Sequence, residues 1–151
     1  MRAQSLLTRY SLAILCILVE VLMPVVTLTI VNSGHNLLAD GLTGADNPKA
    51  TYFALGTGTS TPTSTQTKLD NEIFRKKVSS FSSGVSVGER LINCFISDTD
   101  AVGVDIEEVA VFGGNSATSL ANSGKMIGRA KWKHNPKGNL ESITLQLDAT
   151  T

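Results

Sequence analysis

Gly56-Thr57-Gly58 opens the run ALGTGTSTPTSTQTKLDNEIFRK (54–76), and paired glycines ahead of basic residues are a pattern that phosphate chemistry uses. A Walker loop, however, needs G-x-x-x-x-G-K-[ST], so that backbone amides curl round the phosphates while the lysine reaches them. Gly56 and Gly58 have no partner glycine before a lysine, and Lys68 is followed by Leu69. The dinucleotide fingerprint fails too, because Thr61 holds the third glycine position and no parallel strand–helix–strand crossover follows. The run is expected to be a surface connector rich in small hydroxylated residues.

GVSVG (84–88) matches the nucleophile elbow G-x-S-x-G, in which a strand turns sharply into a helix and lifts the serine above the sheet. Both flanks of Ser86 read as strand, which places it in a hairpin instead. Ser86, Asp105 and His134 fall in an order a hydrolase could use, but that class needs a far larger scaffold. DTDAVGVD (98–105) offers Asp98, Asp100 and Asp105 as oxygen ligands for calcium. Val102 and Val109 occupy positions where an EF-hand needs an oxygen ligand and a glutamate, so a solvated acidic turn is expected. Arg129, Lys131 and Lys133 alternate along one strand and read as a wet basic face. No aromatic side chain interleaves with them on that side, which speaks against nucleic acid. One assembly is conceivable, in which Asp98, Asp100, Asp105, Glu107 and Glu108 of a neighbouring copy meet this stripe in a head-to-tail ring. His35 and His134 have no acid or ligand neighbour in sequence, and Cys94 alternates with Ile92 and Ile96 as a core residue. No catalytic, cofactor-binding or metal-binding residue is assigned, and no cofactor or small-molecule substrate is expected.

The elements that carry these residues are mostly strands. Thr, Ser, Gly and Val are abundant, and the formal net charge is zero over 151 residues. That length suits one domain. A first strand (25–31) leads into a short helix capped by Asn32 or Ser33, with Leu37, Leu38 and Leu42 as its face and Gly41 and Gly44 ending it. ATYFALG (50–56) is extended, a helical turn is expected around Thr67–Asn71, and a strand follows through EIFRKKVSS. FSSGVSVGE turns into RLINCFIS. In VGVDIEEVAVF the apolar phase slips across Glu107–Glu108, as one inserted residue would cause. KMIGRAKWKHNPKGNLESITLQLD reads as a hairpin about Asn135–Gly138, with Trp132, Ala130, Gly128 and Met126 facing Glu141, Ile143, Leu145 and Leu147. The expected fold is mainly β: an antiparallel β-sandwich or partly open barrel with one short N-terminal helix.

Residues 1–22 form an apolar N-terminal extension. A signal peptide fits the basic start, but no small-x-small cleavage site follows before Met23-Pro24. A membrane span is interrupted by Glu20 and Pro24. A working start at Met23, giving a β-rich domain over 23–151, is the favoured expectation. A membrane partner is expected only if residues 1–22 are retained.

The order of motifs resembles small virion proteins of tailed bacteriophages and the N-terminal attachment domain of phage tail-collar fibre proteins. The matching positions are Gly34, Leu38 and Ala39 in the early helix; Ala54, Gly56, Gly58, Pro62, Thr67, Leu69, Glu72 and Arg75; and Ile106, Glu108 and Phe112. The resemblance spans most of residues 25–147. It implies a β-rich domain without enzymatic activity that docks on other virion structural proteins, as a homo-oligomer, in a particle assembled in the host cytoplasm. A fibre shaft or receptor-binding tip after Asp148 is not expected. The alternative expectation is an exported or membrane-anchored β-sandwich that serves as a binding or adhesion module.

Overall fold

The computed structural model describes residues 23–149. The three readings of residues 1–22, including Cys16, lie outside them. The elements in chain order are β1 (Val25–Thr27), β2 (Thr29–Ile30), α1 (Asn32–Thr43), β3 (Ala50–Gly56), β4 (Glu72–Lys77), β5 (Ser80–Ser83), β6 (Arg90–Ile96), β7 (Ile106–Gly113), β8 (Lys125–His134) and β9 (Ile143–Asp148). They form two sheets, ordered β1-β9-β6-β5 and β2-β8-β7-β3-β4, with no closed barrel. All pairings are antiparallel except β1 with β9. The sandwich-like, mainly β expectation with one short helix is met.

One core lies between the sheets. Phe53, Leu55, Val109, Val111, Ile127 and Ala130 come from the five-stranded sheet, and Ile92, Cys94, Ile96, Ile143, Leu145 and Leu147 from the other. In β3, β6, β7 and β9 these are alternate residues, the face that a pleated strand presents, which is how aligned sheets bury their inner sides. The phase slip in β7 is a bulge between Ile106 and Glu108. It lets Ile106 point into the core along with Val109 and Val111.

The expected hairpin between β8 and β9 does not form. β8 pairs with β7 and β2, and β9 pairs with β6 and β1, so the two strands face each other across the core. An alternating apolar face satisfies either arrangement, and the chemistry of the connection decides. Lys137 is buried, its ammonium bonded to the carbonyls of Asp98 (2.9 Å) and Gly138 (3.2 Å), and its own carbonyl accepts from Gly103 N–H (2.9 Å). These bonds draw the connection onto the loop after β6 and carry the chain to the second sheet. A second bulge, between Val111 and Phe112 in the β7–β8 ladder, turns Met126 away from the inter-sheet core.

Three smaller expectations are also corrected. Neither Asn32 nor Ser33 caps α1; Val31 holds the cap position without a side-chain bond, and Ser33 Oγ donates to the Met126 carbonyl (2.7 Å). The helix packs through Gly34 and Leu37, while Leu38 and Leu42 face outward, because α1 lies flat on β8 with its glycine against the strand backbone. Gly44 does end the helix, at φ 74°. Residues 67–71 make no helical turn; the amides of Asp70 and Asn71 are bonded instead to the Glu108 side chain of β7.

Candidate functional site

The outer face of the five-stranded sheet is covered. Residues 57–71 form a compact loop whose ends meet: Thr57 N–H donates to the Asn71 carbonyl (3.2 Å), and Asn71 Nδ2 donates to Thr57 Oγ1 (2.7 Å). This strap lies over Ala54, Ala110, Phe112 and Met126, and Leu69 is its buried apolar anchor. Asn32 N–H, at the start of α1, donates to the Ser64 carbonyl (2.7 Å) and ties down the far side.

Glu108 holds the strap from beneath. Its Oε1 accepts from Gly58 N–H and Asn71 N–H, both at 3.0 Å; its Oε2 accepts from Asp70 N–H at 3.2 Å and from Arg129 Nη2 at 2.6 Å. Glu108 and Arg129 are both fully buried. Arg129 also reaches Asp70 (2.9 Å), Ser60 Oγ (3.1 Å) and the Ser60 carbonyl (3.4 Å), and only its Nε is left without a partner. A Cβ on Gly56 or Gly58 would lie 2.3 or 2.5 Å from Glu108 Oε1. The glycine pair therefore exists so that backbone can approach a carboxylate of the same chain. Its anion is Glu108 rather than a phosphate.

A second clamp lies beside the first. Arg75 on β4 makes two bonds to Glu72 (2.6 and 2.8 Å), donates to the Ser123 carbonyl (2.8 Å), and stacks its guanidinium 4.0 Å over the Phe112 ring. Glu72 in turn accepts from Asn122 N–H (3.0 Å), which fixes the loop between β7 and β8 against the β4 edge. Lys125 bridges Asp40 (2.8 Å) and Asp46 (3.1 Å), joining the end of α1 to the same region.

The carboxyl of Asp70 is held below the usual carboxylate range, chiefly by the bond from the Ser60 hydroxyl and then by Arg129. Asp46 is held low by the amides of Asn115 and Asn47 and by Lys125. A carboxylate whose folded value is depressed contributes stability that is fully present above its unfolded value, about 3.9, and is lost as pH falls through the folded one. Melting temperature is therefore expected to hold between pH 5 and 7 and to fall below about pH 4. In Asp70→Asn the pH 6 value should start lower and the acid drop should be shallower. Because Asp70 is partly exposed, added salt should weaken its share.

The other residues singled out by sequence are not brought together. Ser86 sits in the exposed turn of the β5–β6 hairpin, with its N–H on Glu89 Oε2 (2.8 Å). His134 contacts the Asn135 carbonyl (2.7 Å) and Glu141 (3.0 Å). Asp100 is paired with Lys76 and accepts from Ser97 N–H (2.9 Å); Glu107 pairs with Lys133 (3.0 Å). The basic stripe is a wet face only in part: Lys131 and Lys133 are exposed, Lys133 pairing with Glu107, whereas Arg129 is buried. A head-to-tail ring through Arg129 and Glu108 is excluded, since each is already the other's partner. Burial pushes the Cys94 thiol up to about 12, in keeping with a core residue. Among the described residues no group of three His, Cys, Asp or Glu side chains is placed to hold a metal. The arrangement fixes the shape of a surface. Compared with protein families, curated proteins and solved structures, the chain matches none.

Proposed function

We propose that this protein is a non-enzymatic structural component of a bacteriophage particle, part of a tail, collar or baseplate, working as a homo-oligomer through protein–protein contacts. One observation carries the reading. Of the residues on which the tail-collar resemblance rests, Gly56, Gly58, Leu69, Glu72, Arg75, Glu108 and Phe112 all serve the strap and its two clamps. They are spent on holding one loop in one shape, and that loop presents Thr59, Thr61, Thr63, Ser64 and Thr65 to the outside. A pre-ordered loop of short hydroxyl side chains suits docking against a neighbouring subunit, because little conformational entropy remains to be lost on contact.

Peptide mass spectrometry on purified particles from the source culture tests this. Stoichiometric co-purification is the expected result. Absence from particles, with a form longer than residues 23–151 in the membrane fraction, would overturn it in favour of an anchored adhesion module.

A further inference from the structure

The two sheets part at one flank, where the chain crosses from β4 to β5. A cleft of about 450 Å³ lies there, with Lys49, Thr51, Tyr52, Lys77, Ser80 and Phe81 among its walls. No carboxylate lines it. Lys49 and Lys77 are exposed, and neither belongs to a salt bridge among the described residues. The Lys49 ammonium sits 5.7 Å from the centre of the Phe81 ring, which is itself 47% exposed.

The lip of this cleft is a strand edge. β5 is the outermost strand of its sheet. Its register on β6 is Ser80 with Asn93 and Ser82 with Leu91, and Gly84 N–H donates to the Glu89 carbonyl (3.2 Å). Bonds to β6 therefore fall at residues 80, 82 and 84, and the backbone N–H and C=O groups of Phe81 and Ser83 point to the open side. Sheet edges are ordinarily blunted by charge, proline, a bulge or a covering loop. β4, an edge of the other sheet, is blunted in this way by Glu72, Arg75, Lys76 and Lys77, four charged residues out of six. Ser80–Ser83 contains no charge and no proline.

We propose that β5 is a docking edge for an extended, acidic segment of a partner protein, which adds as a further strand to the four-stranded sheet. Its backbone bonds to Phe81 and Ser83. An apolar side chain on its inner face covers Phe81, and carboxylates on that face pair with Lys49 and Lys77. Strand addition supplies affinity through main-chain bonds, and the lysines supply the charge preference. The proposal holds whether or not the protein belongs to a virion.

Three capped peptides test it on the ¹⁵N-labelled full chain: Thr-Glu-Thr-Val-Thr-Glu-Thr, which puts both carboxylates and the valine on one face, its lysine counterpart, and the glutamate peptide N-methylated at every backbone amide. The glutamate peptide should bind, shift the amide resonances of Phe81 and Ser83, and slow their hydrogen exchange. The N-methylated form keeps every charge but loses its donors, and it should not bind. Lys49→Glu with Lys77→Glu should weaken the glutamate peptide about tenfold or more while leaving the protein's melting temperature nearly unchanged, since both side chains are exposed and neither is in a salt bridge. Equal binding of the N-methylated or lysine peptide, or binding that leaves Phe81 and Ser83 unperturbed, would overturn the proposal. So would no binding by the glutamate peptide.

Discussion

Arg129→Met is expected to destabilise the protein by about 3–5 kcal/mol, because it leaves a fully buried carboxylate without its counter-ion. At this chain length that lowers the melting temperature by on the order of 10 °C or more. Replacing a buried ion pair by two apolar residues is often harmless, and here it should not be. Glu108 also accepts three backbone N–H groups, from Gly58, Asp70 and Asn71, and an apolar substitute would orphan all three under the strap. Glu108→Leu combined with Arg129→Met should therefore fare no better than Arg129→Met alone. Glu108→Gln combined with Arg129→Met should fare better than Arg129→Met, despite carrying two changes. The glutamine carbonyl can still accept from Gly58 and Asn71, and the buried charge is gone. Thermal melts of the three variants settle the order. If the Leu/Met pair matches the wild type, the strap does not depend on Glu108.

Gly34→Ala sets two effects of opposite sign against each other. In a helix interior, alanine is favoured over glycine by about 1 kcal/mol. At this position the new Cβ would lie 2.2 Å from the Ile127 carbonyl oxygen and 2.9 Å from its Cα, so β8 backbone or the whole of α1 has to move. Overpacking of that kind costs about 1–3 kcal/mol and more where backbone must yield, so the clash wins. Asn36→Ala, on the exposed side of the same helix, is the control for propensity alone and should stabilise slightly. Denaturant midpoints should move in opposite directions for the two substitutions. The Val31 amide, bonded to the Ile127 carbonyl at 3.1 Å, should exchange faster only in Gly34→Ala. Unchanged exchange there, with a raised midpoint, would mean that the helix does not lie as close to β8 as described.

Much of the fold was legible because pleated strands advertise their faces. The β5–β6 hairpin and the bulge at Glu107–Glu108 could be read from alternation and from its interruption. The partner of β8 could not, since one apolar face per strand looks alike whether the other strand lies beside it or across a core. The strap was hidden for a related reason. Glu108 and Arg129 each occupy the polar side of a strand, and a polar side is ordinarily a solvated one. A signal was nevertheless present in Val109-Ala110-Val111-Phe112, an unbroken apolar run. A strand apolar on both faces has both faces covered, and the second cover has to come from somewhere. The Gly/Thr run, next along the sheet through β3, was the segment free to supply it.

The parallel pairing of β1 with β9 has a temporal meaning. The segment from Val25 to Ile30 contributes to both sheets, and its partners in the ladder are Gly128, Arg129 and residues 146–148. Contacts so distant along the chain are slow to form, because a large loop must close before any of them is rewarded. On the ribosome the earliest strands of the described domain would emerge first and remain unmated until almost the last residues of that domain had followed. Closure of this sandwich is thus a late event, and the apolar edge of Val25–Ile30 is what a nascent chain must shield in the meantime.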